Sequence, residues 1–485
     1  MTRPRGCWTC KERKVMCDRS YPECSRCKKS NHKCQGYGVR LSWPSAKSGR
    51  AVVGKASLMP VSRDTRARFI NATFWDLEMY HHLSSLSGMH EHNIHVERMV
   101  LKKAPSWSPF QVDDGNETLL DYFNHVAYKT MGIFHQDYEG FRDVILRLAF
   151  SDKTPASKAV LQSLLTVSAI QRYGPSLQVD GLKLSALRAL KRSSEHGIDG
   201  LAGVQQVAAQ MLLCSFEVNC AAVTWPWYIC GANHILTVAN LAESSNGREL
   251  HEIVDWVAYQ HVMCRFGLQN WRNGDDYWKL PARKRLGMPT VCSDLTALYG
   301  AKSPREIVTI LSEVVESIQD PSASSYHSAG YVGSLNLLEN KLETLQSPEF
   351  TGAGAVDTPA DLVELYRLAA LIYLERASTR SSGPSVKVQR WLQKAYVILE
   401  KQEIHHIPFP LLVLGIESRN DERRKLFLKL VRQAAVRSGS VAMENVHRML
   451  QSVWLQDDLE IERVLDYRLK LRAVFSSSEI LPSLA

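Results

Sequence analysis

Over most of this 485-residue chain the hydrophobic positions fall at helical spacing. Ile307, Ile310, Leu311, Val314 and Ile318 make the i, i+3, i+4 stripe of an amphipathic helix, and Leu426, Phe427, Leu430, Val431 and Ala434 make another. Residues 362–374 are apolar nearly all round, the pattern of a helix covered on every side. Strand-like alternation is scarce. From residue 115 to 485 the pattern predicts a large all-α body of many packed helices, with solenoid-like stacking as one arrangement. Loops are expected around 271–303 and 320–330, where Pro, Gly, Ser and Asn collect.

The earlier part of the chain has a different texture. Gly36, Gly38, Pro44, Gly49, Gly54 and Pro60 alternate with Arg40, Lys47, Arg50 and Lys55, which reads as an extended basic linker over 37–68. A helix and connecting segment follow over 69–114, where Ile70, Phe74, Leu77, Tyr80, Leu83 and Leu86 share one helical stripe that Gly88 ends. The stripe lasts about two and a half heptads, and a sustained coiled coil wants three or four. The expectation is a helix packed on its own body. Homodimerisation stays open, without a strong coiled coil to drive it.

Composition narrows the class. Hydrophobic residues at 45% and charged residues at 22% lie in the ordinary globular range. The first ten residues, MTRPRGCWTC, contain no apolar core of a signal peptide, and no uninterrupted run of about 18 apolar residues follows. An intracellular chain with no membrane partner is expected. The net charge of +9 is unevenly spread: residues 1–68 carry 17 Lys and Arg against Glu12, Asp18, Glu23 and Asp64, leaving the remainder at −4. A basic arm on a mildly acidic body points to a polyanion partner for the arm.

Six of the eleven cysteines give that arm a chemistry. Cys7, Cys10, Cys17, Cys24, Cys27 and Cys34 form C-x2-C-x6-C twice, while Cys214, Cys220, Cys230, Cys264 and Cys292 are scattered in apolar sequence and read as small buried hydrophobes. Paired CxxC motifs in an intracellular chain are zinc-site spacing. Two tetrahedral zincs need eight ligand positions, and six thiolates fill them if two bridge both metals. The internal repeat makes Cys7 and Cys24 the natural bridging pair. The competing arrangement is one four-cysteine site with two thiols left over. Trp8 and Tyr21 are the large aromatics before Cys34, so metal ligation must supply the folding free energy of this small segment.

The string GCWTCKERKVMCDRSYPECSRCKKSNHKC resembles the fungal zinc binuclear cluster DNA-binding domain, with Pro22 two residues before the fourth cysteine as in that family. The resemblance implies a two-zinc, six-cysteine domain over residues 1–36, with a helix after each CxxC. It implies double-stranded DNA as partner, the first helix facing a CGG-like element in the major groove. Lys14, three residues before Cys17, then takes the main base contact with Arg13 assisting. Lys and Arg suit guanine O6 and N7. Lys11, Arg19, Arg26, Lys28 and Lys29 suit phosphates. Met16 departs from the family, which usually has a basic residue there. The segment Gly36–Pro44 is similar to drug-resistance regulators of the acriflavine-sensitivity type.

In the body, Pro410–Glu417 followed by Arg423 and Arg424, and Val453-Trp454 before Asp457, resemble motifs of the second class of fungal-specific transcription factor domain. That implies a regulatory body contacting the transcription machinery or co-regulators in the nucleus, serving a secondary-metabolite cluster or a stress or drug-resistance programme. The alternative is a zinc-module co-regulator without its own DNA specificity. No Walker A loop, GxSxG elbow or HExxH is present, so no enzyme is expected. TGAGAV at 351–356, His90, His92 and His95, and His405-His406 read as ordinary loop sequence.

Overall fold

The computed structural model describes residues 6–20, 23–36, 58–60, 69–71, 116–131, 134, 137–195, 197–198, 200–222, 224–239, 241, 248–271, 305–319, 324–326, 328–345, 360–401, 406–459, 466–478 and 480–485. Two compact units emerge, one ending at Ser57 and the other beginning at Leu58. The first contains two five-residue helices, α1 (Trp8–Glu12) and α2 (Ser25–Lys29).

The second unit opens with β1 (Leu58–Pro60) and β2 (Phe69–Asn71), paired antiparallel with Met59 opposite Ile70. This corrects two sequence expectations. Residues 58–60 are strand inside the expected linker, and Ile70 lies on a strand rather than starting a helical stripe. The rest of that stripe lies outside the described residues, as do Pro22, Tyr21, His90, His92, His95, His405, Cys292 and the TGAGAV segment.

Helices make up the remainder: α3 (Asn116–His125), α4 (Tyr138–Phe150), α5 (Pro155–Tyr173), α6 (Leu177–Ser194), α7 (Gly200–Asn219), α8 (Trp225–Val238), α9 (Arg248–Asn270), α10 (Arg305–Ser317), α11 (Ala329–Thr344), α12 (Ala360–Thr379), α13 (Val386–Lys401), α14 (Pro408–Ile416), α15 (Asp421–Ser438), α16 (Val441–Leu459) and α17 (Tyr467–Ser476). Their starts are chemically marked. Thr154 caps α5 ahead of Pro155, and Ser176, Asn420 and Asp466 cap α6, α15 and α17 through side-chain oxygens. Gly439 ends α15 in the left-handed conformation. The stripes read from sequence over α10, α12 and α15 bury as expected, Ile307, Leu311 and Val314 among them.

The helices do not stack as a one-dimensional solenoid, in which each unit touches its sequence neighbours alone. Near the end of the chain, α17 packs on α9, α12 and α16, and α9 also meets α4, α7, α8 and α10. The core is closed. Phe266 of α9 takes Tyr373, Phe409 and Phe475 edge-on at 5.1, 5.1 and 5.7 Å, joining α9, α12, α14 and α17. Helix α14 is buried at every position, because PFPLLVLGI carries no polar side chain.

The family-like motifs occupy the polar seams of this core. Arg376 of α12 bonds Glu417 through two nitrogens at 2.9 and 2.7 Å, both side chains almost wholly buried, and its third nitrogen donates to Ser381 O and Gly383 O. Trp454 donates to Gly415 O at 2.8 Å, while Arg424 pairs with Asp458 at 2.7 Å and donates to Ser418 O. Lys470 pairs with Asp457 in full burial. A Cβ on Gly415 would meet Leu450 Cδ2 at 2.7 Å, so glycine is what lets α14 and α16 approach. His406 is no ordinary loop residue: it is buried, bonds Ser440 Oγ at 2.6 Å, and its pKa is pushed down to about 4 by burial.

Candidate metal centre and nucleic-acid interface

Each short helix of the first unit begins inside a CxxC motif rather than after it. Cys7 caps α1 and its sulfur accepts the Cys10 N–H at 3.4 Å; Cys24 caps α2 and accepts the Cys27 N–H at 3.3 Å. The match continues at a seventeen-residue offset. Lys11 N to Cys7 O and Lys28 N to Cys24 O measure 3.0 and 3.1 Å, and Val15 N to Cys10 O and His32 N to Cys27 O measure 2.9 and 3.0 Å. The two halves are one fold written twice. Gly6 fits this geometry because a Cβ there would lie 2.7 Å from Cys17 Cβ.

The repeat brings the six sulfurs into two groups of four: Cys7, Cys10, Cys17 and Cys24, and Cys7, Cys24, Cys27 and Cys34, each with all ligand atoms within 4.8 Å of one another. Cys7 and Cys24 belong to both. Zinc–sulfur bonds of about 2.3 Å in a tetrahedron put neighbouring sulfurs about 3.8 Å apart. Cys7 to Cys24, Cys10 to Cys24 and Cys7 to Cys27 measure 3.6, 3.6 and 3.7 Å, so the donor set fits the metal. Burial pushes the metal-free Cys7 thiol up to about 12 and that of Cys24 higher still, whereas the Cys24 and Gly36 N–H groups lower Cys34. Thiolates crowded this closely need a cation to remain ionised.

The basic residues surround this centre at the surface. Lys11, Arg13, Lys14, Arg19, Arg26, Lys28 and Lys29 are all exposed. Arg13 and Lys14, however, are not on the first helix. Helix α1 stops at Glu12, Arg13 is its C-cap, and Lys14 adopts φ 54° with its N–H on Lys11 O. The left-handed turn carries Lys14 out of the helical screw. Seventeen residues on, Asn31 repeats that turn at φ 52°, but Ser30 and Asn31 replace the Arg13-Lys14 pair. Lys11 additionally lies over the Trp8 ring, 4.6 Å from its centre.

Two side chains that sequence reasoning did not single out tie the halves together. Thr9 is buried inside the first CxxC; its hydroxyl donates to Lys33 O and accepts from Gln35 N, both at 3.0 Å. Asp18 accepts from Ser25 N and Arg26 N at the start of α2, at 3.0 and 3.2 Å, and from Ser20 Oγ at 2.6 Å. Ser20, then Ser25 and Arg26, hold the Asp18 carboxyl well below the usual range. The available signal was a hydroxyl within a CxxC and an acid following a ligand in a basic module.

No helix among the described residues is long and apolar enough to cross a membrane. Residues 5–44 match the fungal Zn(2)-Cys(6) binuclear cluster domain, and residues 118–470 match the fungal specific transcription factor domain. Transcription factor iacI of Pestalotiopsis fici is 30% identical over 389 residues, covering 78% of this chain and 97% of that protein. Across 38 residues, 8% of this chain, arginine metabolism regulation protein II of Saccharomyces cerevisiae is 58% identical over 4% of its length. Pestheic acid cluster transcriptional regulator 3 of Pestalotiopsis fici is 45% identical across 38 residues, 8% of this chain and 7% of its own. No solved structure matches the chain.

Proposed function

The chain belongs to the fungal Zn(2)-Cys(6) transcription factors, DNA-binding transcription regulators rather than enzymes, and from that premise we propose that it reads a CGG-like element through a two-zinc cluster. Cys7, Cys10, Cys17 and Cys24 hold one zinc; Cys7, Cys24, Cys27 and Cys34 hold the other. When bound, zinc would cross-link the two halves through these cysteines and hold their sulfurs as thiolates. The observation that carries this reading is the doubled fold with two shared sulfurs and an Arg-Lys pair in one half alone.

Lys14 donates to guanine O6 and N7, and Arg13 supports it. Lys11, Arg19, Arg26, Lys28 and Lys29 contact phosphates, which set affinity and register on the duplex. The helical body receives signals and contacts the transcription machinery or co-regulators in the nucleus. The regulated programme is a secondary-metabolite cluster or a stress-resistance set. The full chain, stripped of zinc, should lose retention of a CGG-containing duplex and recover it on zinc addition. Equal retention of the duplex with and without zinc would refute the reading.

A further inference from the structure

Of the six candidate ligands, Cys7, Cys10, Cys24 and Cys27 are buried, whereas Cys17 and Cys34 are partly exposed. These two end their respective halves, and each has its chain held by a bond that crosses to the opposite half. Thr9, in the first half, bonds the backbone on both sides of Cys34, and Trp8 N donates to Gly36 O at 3.1 Å just beyond. Asp18, immediately after Cys17, reaches into the second half to cap Ser25 and Arg26. The arrangement is reciprocal: whatever follows the last sulfur of one half is fastened to the helix start of the other.

The geometry points to Thr9 and Asp18 as crossed positioning residues, Thr9 holding Cys34 in the second sulfur group and Asp18 holding Cys17 in the first. This rests on the two-zinc reading. Thr9 acts through the backbone on both sides of Cys34, whereas Asp18 acts as the chain neighbour of Cys17, anchored by its side chain to the start of α2. Helices α1 and α2, at five residues, are too short to hold a shape unaided, and the first unit's buried cluster is made of cysteine. A bond fixing the chain beside a ligand therefore decides how readily that ligand swings away. Asp18 is also an acid kept in a module otherwise suited to DNA phosphate, where its charge opposes binding. Its three accepted hydrogen bonds account for its presence.

The test uses the zinc-loaded full chain. Zinc is withdrawn by a chelator while free thiols are alkylated at intervals; intact mass counts the metals and peptide mapping identifies which cysteine opens first. In Thr9→Val, which keeps the shape and loses the hydroxyl, Cys34 should open about tenfold faster than in the parent, the weight of one or two hydrogen bonds. One zinc should leave ahead of the other. Thr9→Ser, which restores the hydroxyl, should return to the parental rate. In Asp18→Ala the first cysteine to open should instead be Cys17. The proposal is overturned if Thr9→Val opens its cysteines in parental order and rate, or if Thr9→Ser behaves as Thr9→Val does. A parent carrying one zinc would overturn the two-zinc reading instead, a distinct outcome visible before any variant is made.

Discussion

The first unit and the helical body order their chains by opposite means. The described residues of the first unit bury four cysteines and one threonine, while the body buries Trp256, Tyr259, Tyr366, Phe266, Phe409 and Phe427 in a closed aromatic and aliphatic core. In the first, six cysteine sulfurs stand close enough to one another to share metal ions; in the second, area removed from water drives folding, and the charges of Arg376 and Glu417 are buried together. The contrast separates what each unit is for. A module held by sulfur and metal leaves nearly all its other side chains exposed, free to face a duplex. A core closed by Arg376–Glu417 and Lys470–Asp457 has little freedom to present its charges to anything.

The strongest way to break this comparison is to remove the metal. Structural zinc contributes on the order of 10 kcal/mol or more per site. A chelator should abolish DNA retention and leave the far-ultraviolet circular dichroism and melting transition of the body unchanged. If the body melts with the cluster, the two do not fold independently.

The reverse perturbation is Arg376→Ala, which strands Glu417 as a buried charge that has lost two hydrogen bonds. Breaking such a pair costs about 3–5 kcal/mol. Thermal unfolding should show the body melting earlier while zinc content by mass stays parental. Loss of zinc in Arg376→Ala would contradict the division.

Acid sharpens the contrast further. His406 has a folded pKa near 4 against an ordinary value of 6.5, because burial disfavours the charged ring. The unfolded chain takes up a proton below about 6.5 while the folded chain does not, so stability is intact above that pH and falls as pH drops towards 4. The loss is up to about 3 kcal/mol, and His406→Gln should flatten that part of the stability profile. An unchanged profile would place the acid sensitivity elsewhere. A smaller effect is expected for Gly415→Ala, whose new methyl meets Leu450 and Phe427: about 1–3 kcal/mol of overpacking, read as an earlier body transition.

How far sequence reading reaches differs between the units for the same reason. Ligand chemistry dictates cysteine spacing, so the gathering of the six sulfurs was legible, as were the stripes of α10, α12 and α15, where burial follows a local period. Features set by distant partners were not. The Thr9 and Asp18 bonds cross between halves. Lys14 leaves the helix through a left-handed turn that Asn31 repeats, a conformation that suits asparagine but that a lysine does not announce. Ile70 pairs with Met59 rather than continuing a helix, and His406 is claimed by Ser440 from 34 residues away. The body motif was visible as a string, yet its role as packing around Gly415 and the Glu417 pair needed α12 and α16 in place.

The most direct test of the account is the sequence preference of Lys14→Ala beside that of Lys28→Ala. Both residues are exposed, but Lys14 stands on the turn after α1, and Lys28 lies within α2 at the position equivalent to Lys11. Binding of the full chain to CGG and scrambled duplexes is measured across a range of salt. Lys14→Ala should weaken CGG binding by about 1–3 kcal/mol and compress the ratio between the two duplexes. Lys28→Ala should weaken both alike and lower the salt slope by about one unit. If Lys14→Ala preserves the ratio while lowering both affinities, Lys14 anchors the backbone, and base reading belongs to another part of the chain.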